Sequence, residues 1–437
     1  TWGSRNGSSA MTWTRGDLCM VDPLLVNPSN EPWTCVRLRA WGAGQCTIDG
    51  LPWLSVHGRA MHADDHHAVV LAERYASFVE TFMIDGDGLC RSFINAETLA
   101  PWRNANLIDD ELTDFFQNAP DKSACLTYEN SLMSTSEYTM SCMEQHAATG
   151  DPGAYDRASR GIRALLSVAR EGRHYMPGYL PKPFGGVAGA RNSHEISPDQ
   201  YTKAIRALAQ WRDHFGSDDV EQINKLFVDI ADFFVARRFR HAYRHRTIVT
   251  AQTHHHALGL FVPICVLAAK ASGKQRYRDE LTQFDGPIDE LGGNHVLANF
   301  NMASLLTEGF DLALSEGHDD PRLKQAILML WERAVRNVDE HGHGWESHGE
   351  VRLRTSQVTR LASMALIVER HHPGVEATEL VMRILRQHPD PVIDMRHFRP
   401  EDEPRLHPTR RVLAHSICDT SVSSWLLAYW RLMARRK

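Results

Sequence analysis

Amphipathic helical patterns follow one another from residue 64 onward, and this succession is the feature that most constrains the fold. Apolar residues recur at intervals of three and four, and capping residues, glycines and prolines mark the ends of successive segments. The only plausible strands lie within residues 11–63. The pattern predicts twelve helices, at about 64–83, 128–149, 151 onward, 197–215, 218–240, 251–272, 274–284, 293–316, 319–335, 354–371, 374–388 and 416–434.

The connectors between these helices alternate between short and long. Tight turns such as "TGDP" and "GSDD" follow even-numbered helices, whereas the even-numbered helices are entered through longer polar loops. Even-numbered helices such as 293–316 are apolar or small nearly all round, as an inner layer requires, and odd-numbered ones such as 218–240 are amphipathic. We therefore predict six helical hairpins in a closed ring of two layers. The long loops, which are usually functional, would surround one axial pocket.

This interpretation divides the chain into two parts. Residues 1–63 form an N-terminal extension and a small irregular or β cover, and residues 64–437 form the catalytic domain. The net charge of −6 and the absence of a long basic run argue against nucleic-acid binding. The longest apolar run, 257–269, is too short to span a bilayer and contains a proline. No leader peptide is recognisable at residue 1, and the compartment is left open.

Three stretches of sequence resemble a known group of enzymes. "YENSLMSTSEYTMSCMEQHAATGDPGAYDRASRGIRALLSV" (128–168), "GYLPKPFGG" (178–186) and "HEISPDQYTKAIRALAQW" (194–211) are similar to (α/α)6-toroid carbohydrate-active enzymes. These include unsaturated glucuronyl and rhamnogalacturonyl hydrolases, related glucuronidases and toroidal polysaccharide lyases. The resemblance implies an all-α (α/α)6 toroid over about 64–434 and a carbohydrate-active enzyme. It carries over no catalytic residue, so those are chosen from their own chemistry.

Carboxylates near the starts of the inner helices are the main catalytic candidates. Glycoside hydrolysis needs a proton donor and a carboxylate that acts as base or nucleophile. Glu195 and Asp199 form the first such pair, and Glu346 is also eligible because a ring can supply the two groups from opposite sides. His415 and Asp419 are expected one turn apart on one helical face, as an oriented base or a structural pair. The catalytic candidates are Glu195, Asp199, Glu129, His194, His415 and Asp419.

The segment "RNSHEISPDQY" (191–201) also has a purely local interpretation. Ser197 and Gln200 have the spacing of a capping box, Pro198 occupies the first helical position, and Asp199 suits the positive end of the helix dipole. We expect the segment to combine both roles, as a capped helix start with polar groups that face the pocket.

Aromatic and cationic side chains in the same loops are the substrate-binding candidates. His254, His255 and His256 are consecutive and point about 100° apart, so one or two can face inward. Trp345 offers an aromatic face to a sugar ring, and arginines, including Arg244 and Arg246, can bind a uronate carboxylate through two hydrogen bonds. The substrate-binding candidates are Tyr128, Arg191, Gln200, Tyr201, His254, His255, His295, Trp345, Arg354 and Arg411. We expect His194, His295, Trp345 and His415 to share one concavity.

We assign no metal and no cofactor. The chain has 24 histidines, and His341, His343 and His348 lie close enough in sequence to be possible zinc ligands. However, the sequence has no HExxH motif and no paired CxxC motif. The eight cysteines are expected to be buried thiols, with a disulfide or two near the N-terminus as the alternative.

The sequence thus predicts an enzyme that cleaves a glycosidic bond, with a glycan containing uronic acid as substrate. The expected partner is a small molecule or an oligosaccharide, without nucleic acid or membrane, and oligomers are possible. A toroidal lyase with a His or Tyr base is the runner-up, followed by a sugar epimerase. An all-α isoprenoid cyclase is a further alternative, in which the acidic stretch "IDDELTD" (108–114) would bind Mg²⁺ and diphosphate. A non-catalytic scaffold is the last alternative, but this sequence lacks the repeat that is typical of solenoids.

Overall fold

The computed structural model describes most of the chain from residue 63. The described residues are 38–41, 45–48, 63–104, 107, 121–215, 219–243, 247–293, 299–387 and 395–435. The chain divides into two compact units, Thr1–Val69 and Val70–Lys437. In the first unit, strands β1 (Leu38–Trp41) and β2 (Gln45–Ile48) pair antiparallel, with Leu38 opposite Ile48.

Twelve principal helices occupy the described part of the chain, in the predicted order. They are α1 (Ala63–Phe78), α2 (Ser131–Thr149), α3 (Pro152–Gly172), α4 (Pro198–His214), α5 (Val220–Val235), α6 (Leu258–Ser272), α7 (Asp285–Glu290), α8 (Phe300–Ser315), α9 (Pro321–Val335), α10 (Val358–His371), α11 (Thr378–Leu385) and α12 (Asp419–Arg435). A π-helical turn, Val79–Met83, continues α1, and short helices at Lys122–Tyr128, Arg276–Asp279 and Arg411–Ala414 lie in the connectors.

The even-numbered helices form a closed inner ring. Each packs against the next in the order α2, α4, α6, α8, α10 and α12, and α12 packs back against α2. Contacts join first turns to first turns, as between Asp199 and Asn301, and final turns to final turns, as between Arg370 and Asp311. The six inner helices therefore run in the same direction. The chain folds into the predicted (α/α)6 toroid.

The odd-numbered helices form the outer layer. Helix α3 packs on α2 and α4, α5 on α4 and α6, α9 on α8 and α10, and α11 on α10 and α12. From Val70 onward, α1 brings Tyr75 against Trp425 of α12, with ring centroids 4.6 Å apart. Tight packing also occurs within the inner ring, where a Cβ on Gly309 of α8 would lie 2.0 Å from the carbonyl oxygen of Gly259 in α6. Only glycine permits so close an approach of two backbones.

Helix α6 is apolar because it is enclosed on every side. All residues from Leu258 to Ala269 are buried. Among the described residues, one segment, His255–Ser272, is apolar enough by length and composition to cross a membrane, and 72% of it is buried inside the protein. An inner helix of a ring needs this composition for packing alone.

Three two-stranded ribbons in the loops depart from the prediction that strands are confined to residues 11–63. Strand β3 (Phe93–Asn95) pairs with β8 (Ser416–Cys418), β4 (His241–Tyr243) with β5 (Thr247–Val249), and β6 (Gly344–His348) with β7 (Val351–Thr355). With three to five residues each, these strands are too short to give a clear two-residue period. Several inner helices consequently begin three to seven residues later than predicted.

The predicted capping box at Ser197 is also wrong. Pro198 does occupy the first turn of α4, but the Ser197 side chain makes no capping hydrogen bond. The Gln200 amide instead donates to the backbone oxygen of Glu129, at 2.7 Å, and accepts from the backbone N–H of Leu132. Gln200 therefore ties the start of α4 to the start of α2.

Buried charges occupy the middle of the ring. Lys203 of α4 is fully buried, 3.1 Å from Glu137 of α2 and 3.8 Å from Glu308 of α8. Arg431 of α12 binds both carboxylate oxygens of Glu308, at 2.6 and 3.1 Å. Burial alone would raise the pKa of Glu308, but Arg431 and Lys203 outweigh it and lower that pKa to about 2. We call this group of buried ion pairs the axial network.

The axial network predicts a large and pH-dependent loss of stability for Glu308→Gln. The substitution leaves buried cations without their counter-charge, which typically costs about 3–5 kcal/mol. The folded-state pKa of Glu308 lies below its ordinary value of 4.5, so its contribution is complete above pH 4.5 and is lost as the pH falls toward 2. Urea unfolding of wild type and variant should therefore differ most near pH 7, and the difference should shrink by pH 3.

Glu379→Gln is the matched control, because Glu379 is largely exposed and pairs with Arg383 on the surface. It should cost less than about 1 kcal/mol. Equal stability of the Glu308→Gln variant and wild type at pH 7 would show that the axial network contributes nothing to folding.

Candidate functional site

The first turns of the inner helices bring Asp199 into a polar cluster. Asp199 is the second residue of α4, and its side chain is 21% exposed. Its Oδ2 accepts a hydrogen bond from Asn301 Nδ2 of α8, at 3.1 Å. His256, just before α6, places Nε2 3.7 Å from Asp199 Oδ1. One carboxylate oxygen is thus fixed by an amide, and the other lies near an imidazole.

The axial network fixes the orientation of Asn301. Arg360 Nη1 of α10 donates to Asn301 Oδ1, which leaves the Nδ2 group to face Asp199. Arg360 is buried, donates to Gln357 Oε1 at 2.9 Å, and lies 3.7 Å from Glu137 Oε1. Asp199 is therefore held by an unbroken series of contacts that begins in the core.

A second carboxyl group, Glu346 of β6, contacts the same turn of α8. Its Oε1 accepts a hydrogen bond from the backbone N–H of Phe300, at 3.2 Å, and Phe300 directly precedes Asn301. Burial raises the pKa of Glu346 above its ordinary value, although this N–H group and the cations Arg360 and Arg410 counteract it. Two carboxyl groups in different surroundings can divide the roles of acid and base.

Histidines with lowered pKa values surround Asp199. His241 is buried, and burial together with His256 and His254 lowers its pKa to about 4. Neither of its ring nitrogens has a hydrogen-bond partner among the described residues. Burial also lowers the pKa of His256, against the attraction of Asp199. These imidazoles are neutral near pH 7 and able to accept a proton.

A second group of neutral imidazoles surrounds Arg410. Its Nη1 lies 2.8 Å from His348 Nδ1. Burial and Arg410 lower the pKa of His348 to about 4, and burial, Arg410 and other neighbouring cations lower that of His397 to about 3. Arg410 also lowers the pKa of Glu346, so its positive charge acts on the second carboxyl group of the site.

Lys182 joins two further catalytic candidates, Glu129 and Glu195. Its Nζ lies 2.6 Å from an oxygen of each carboxylate, and its side chain is only 2% exposed. The ammonium group therefore ties the loop that precedes α4 to the start of α2. The two members of the predicted pair Glu195 and Asp199 have different partners, because Glu195 contacts Lys182 whereas Asp199 contacts Asn301.

Several other predicted site residues serve the structure or lie on the surface. Tyr201 is fully buried, donates to the oxygen of Gly178 at 2.9 Å and accepts from the N–H of Leu180 at 2.6 Å, so its hydroxyl group connects the loop 178–180 to α4. Gln200 is likewise buried and joins α4 to α2. His194 and Arg191 are exposed, and the ring of His194 lies against Tyr175.

The expected helical pairing of His415 with Asp419 is wrong. Strand β8 separates them, His415 contacts Glu403 Oε2 at 2.8 Å and is half-exposed, and Asp419 is fully buried at the start of α12. His194 and His415 have different neighbours, since His194 lies against Tyr175 and His415 contacts Glu403. Predicted residues that lie outside the described part of the chain are His295, Arg244, Arg246 and the acidic stretch 108–114.

The remaining candidates lie on the loops around the ring. Trp345 Nε1 donates to Asp339 Oδ2 at 3.0 Å, the guanidinium of Arg352 is 5.8 Å from its ring, and Arg354 lies opposite it in the ribbon. Tyr128 donates to Asp85 Oδ2 at 3.0 Å. His254 contacts Thr253, His255 lies 3.5 Å from Glu290, and Arg411 begins the helix Arg411–Ala414.

Sequence reasoning missed Asn301, Arg360, His241 and Arg410. Arg360 carries a usable signal, since it is the one charged residue between positions 358 and 368 of an inner helix. Within the described residues, no group of three or more His, Cys, Asp or Glu side chains is arranged to hold a metal ion. The described cysteines at 90, 125, 142, 265 and 418 are buried free thiols.

Comparisons with known proteins give structural matches only. No family model matches the chain, and no curated protein matches it. One matching structure is the unsaturated glucuronyl hydrolase of Bacillus sp. GL1, with 14% identity, a TM-score of 0.49, and coverage of 84% of this chain and 96% of that one. This is one of the enzyme types that residues 128–211 resemble.

A second match is the α-1,6-mannanase GH76A of Salegentibacter sp. HEL1_6, with 14% identity, a TM-score of 0.37, and coverage of 71% of this chain and 100% of that one. An inactive variant of that mannanase in complex with α-1,6-mannotriose matches with 13% identity, a TM-score of 0.36, and coverage of 73% and 99%. The toroid assignment rests on the contacts between the helices of this chain.

The position of Lys182 predicts that Lys182→Met is strongly destabilising. Without the ammonium group, the buried Glu129 and the partly buried Glu195 lose the cation that both contact, and the expected loss near pH 7 is about 3–5 kcal/mol. Adding Glu129→Gln and Glu195→Gln to the same chain should restore part of it, as urea unfolding can measure. Lys225→Met, which removes an exposed partner of Asp229, is the control. A Lys182→Met variant as stable as that control would refute the structural role.

Proposed function

We propose that the protein is a carbohydrate-active hydrolase that cleaves a glycosidic bond where Asp199 and Glu346 meet the start of α8. The observation that carries the proposal is that two carboxyl groups contact adjacent residues of α8. Asp199 accepts a hydrogen bond from Asn301 Nδ2, and Glu346 accepts one from the backbone N–H of Phe300. The resemblance of residues 128–211 to toroidal carbohydrate-active enzymes supports the same reaction class. Two carboxyl groups are the usual requirement of glycoside hydrolysis.

Glu346 is assigned the role of general acid. Burial favours its protonated form, so it can transfer a proton to the glycosidic oxygen as the bond between that oxygen and the anomeric carbon breaks. Asp199 is assigned the role of base. It takes a proton from the water whose oxygen attacks the anomeric carbon, and Asn301 holds its Oδ2 so that Oδ1 faces the site.

A uronic acid is the proposed feature of the substrate. Arg410 acts electrostatically on Glu346, and a guanidinium group beside the acid favours a sugar that carries a carboxylate. In this proposal Arg410 takes the role that the sequence interpretation gave to Arg191, Arg244, Arg246, Arg354 and Arg411. Glu129 and Glu195 are assigned to loop anchoring through Lys182.

A polysaccharide lyase is the second candidate, and the neutral imidazoles favour it. His256 lies beside Asp199 and has a lowered pKa, so it could remove the proton α to a uronate carboxyl group while the bond to the leaving oxygen breaks. The product would carry a new carbon–carbon double bond, whereas hydrolysis incorporates water. Mass and ultraviolet absorbance of the products separate the two reactions.

The central test is the pair Asp199→Asn and Glu346→Gln. A panel of neutral and uronic-acid glycosides is incubated with the wild-type chain, and the products are identified by mass. On any substrate that is cleaved, each variant should lower kcat by about 10²–10⁴-fold, because each removes one proton-transfer group. Asp229→Asn, on the outer helix α5 with Arg173, should leave kcat unchanged. Normal activity of either carboxyl variant, with its melting temperature retained, contradicts the assignment.

The pH profile tests the role of Glu346 separately. A general acid must be protonated, so kcat/KM should fall as pH rises through a pKa above the ordinary 4.5 of glutamic acid. Arg410 lowers the pKa of Glu346, and Arg410→Gln should therefore move this fall to higher pH. Lys225→Gln, on the surface of α5, is the control. A basic limb that moves to lower pH, or does not move, would exclude Glu346 as the acid.

A further inference from the structure

A cavity of about 550 Å³ lies at the end of the ring opposite Asp199 and Glu346. It is formed by the final turns of α2, α4, α8, α10 and α12, where the inner helices end. The described ion pairs at its wall join final turns, as between Arg370 and Asp311, whereas Asp199 contacts a first turn. The cavity is therefore separate from the proposed catalytic site, with the axial network between them.

Four arginines line this cavity, and carboxylates lie behind them. The arginines are Arg206, Arg370, Arg431 and Arg435. Arg206 contacts Asp311 at 2.6 Å, Arg370 contacts the same carboxylate at 3.0 Å, and both Asp311 and Glu308 are fully buried. The guanidinium groups thus separate the buried carboxylates from the cavity and present a cationic wall to it.

Two of the arginines keep donor groups available. The side chains of Arg370 and Arg435 are 57% and 52% exposed. Within the described part of the chain, Arg370 donates hydrogen bonds to Asp311 and Arg435 donates one to Glu369, in each case through Nη1. The Nε and Nη2 groups of each remain for a ligand. A guanidinium group held by a carboxylate on one side is well placed to bind an oxyanion on the other.

Part of the wall is apolar, which favours an organic ligand over a bare ion. Ala209, Leu312, Leu366, Ile367 and Ala434 lie among the arginines. A volume of several hundred Å³ is typical of small-molecule sites, and it exceeds the space that one inorganic anion fills. An anion on a carbon body can contact both kinds of surface.

From these observations we infer a second binding site in this cavity, for a small organic oxyanion that carries a carboxylate or phosphate group on a carbon body. Arg370 and Arg435 bind the oxyanion, and the aliphatic side chains contact the body of the ligand. Glu144 and Asp213, which also line the cavity, limit the total negative charge that the site accepts. The inference does not depend on the proposed hydrolase activity.

Isothermal titration calorimetry on the full chain tests the inference with four probes: glucuronate, glucose 6-phosphate, glucose and inorganic phosphate. The organic anions should bind, glucose should not, and inorganic phosphate should bind at least tenfold more weakly than glucose 6-phosphate. The double variant Arg370→Gln with Arg435→Gln should lose at least tenfold in affinity. Arg173→Gln, which removes a half-exposed, ion-paired arginine outside the cavity, should bind as wild type does.

The same titration with Asp199→Asn separates the two ends of the ring. Binding retained in Asp199→Asn and weakened in the double arginine variant supports the second site. Binding that Asp199→Asn removes but the arginine variant retains assigns the anion to the other end and overturns the inference. Absence of binding by both organic anions at millimolar concentration, or equal binding of inorganic phosphate, overturns it as well.

Discussion

The structure depends on the pairing of buried charges at the centre of the ring. Lys203 has no contact with solvent and lies between Glu137 and Glu308, each on a different inner helix. Apolar burial is non-directional, and alone it would allow adjacent helices to slide along one another. An unpaired buried charge costs several kcal/mol. The ion pairs therefore fix the register in which the inner helices meet, with Arg431 adding α12 and Arg360 adding α10.

The same network connects the core with the candidate site. Arg360 lies near Glu137 and also donates to Asn301, whose amide then holds Asp199. Asp199 is thus positioned by three helices, whereas Glu346 comes from a ribbon in a loop and is held by a backbone N–H group of α8. One carboxyl group is fixed by the rigid core, and the other belongs to a connector that can change without repacking the ring.

The sequence predicts the toroid well because helical periodicity and turn residues are local signals. Eleven of the twelve helices overlap the predicted segments, and the enclosed helix α6 is recognisable from composition alone. Helix α7 instead follows the segment predicted at 274–284, which contains the short helix Arg276–Asp279 and a 3₁₀ turn. The site is harder to predict, because its hydrogen bonds cross between helices. Asp199 is recognisable in "SPDQY", but its partner Asn301 is about 100 residues away. Which of the three consecutive histidines faces Asp199 depends on a 3₁₀ turn, His255–Ala257, that no local sequence pattern predicts.

The parallel course of the inner helices makes the two ends of the ring chemically different. Backbone N–H groups gather at one end and carbonyl groups at the other, so carboxylates are favoured at the first and cations at the second. Asp199 and Arg435 follow this rule, whereas Glu308 and Asp311 in the second half of α8 oppose it. Their burial there requires cations from neighbouring helices, which Arg206 and Arg431 supply. The acidic residues of α8 thus account for Arg206 and Arg431 inside the ring, whereas Arg370 and Arg435 extend into the cavity beyond the carboxylates that hold them.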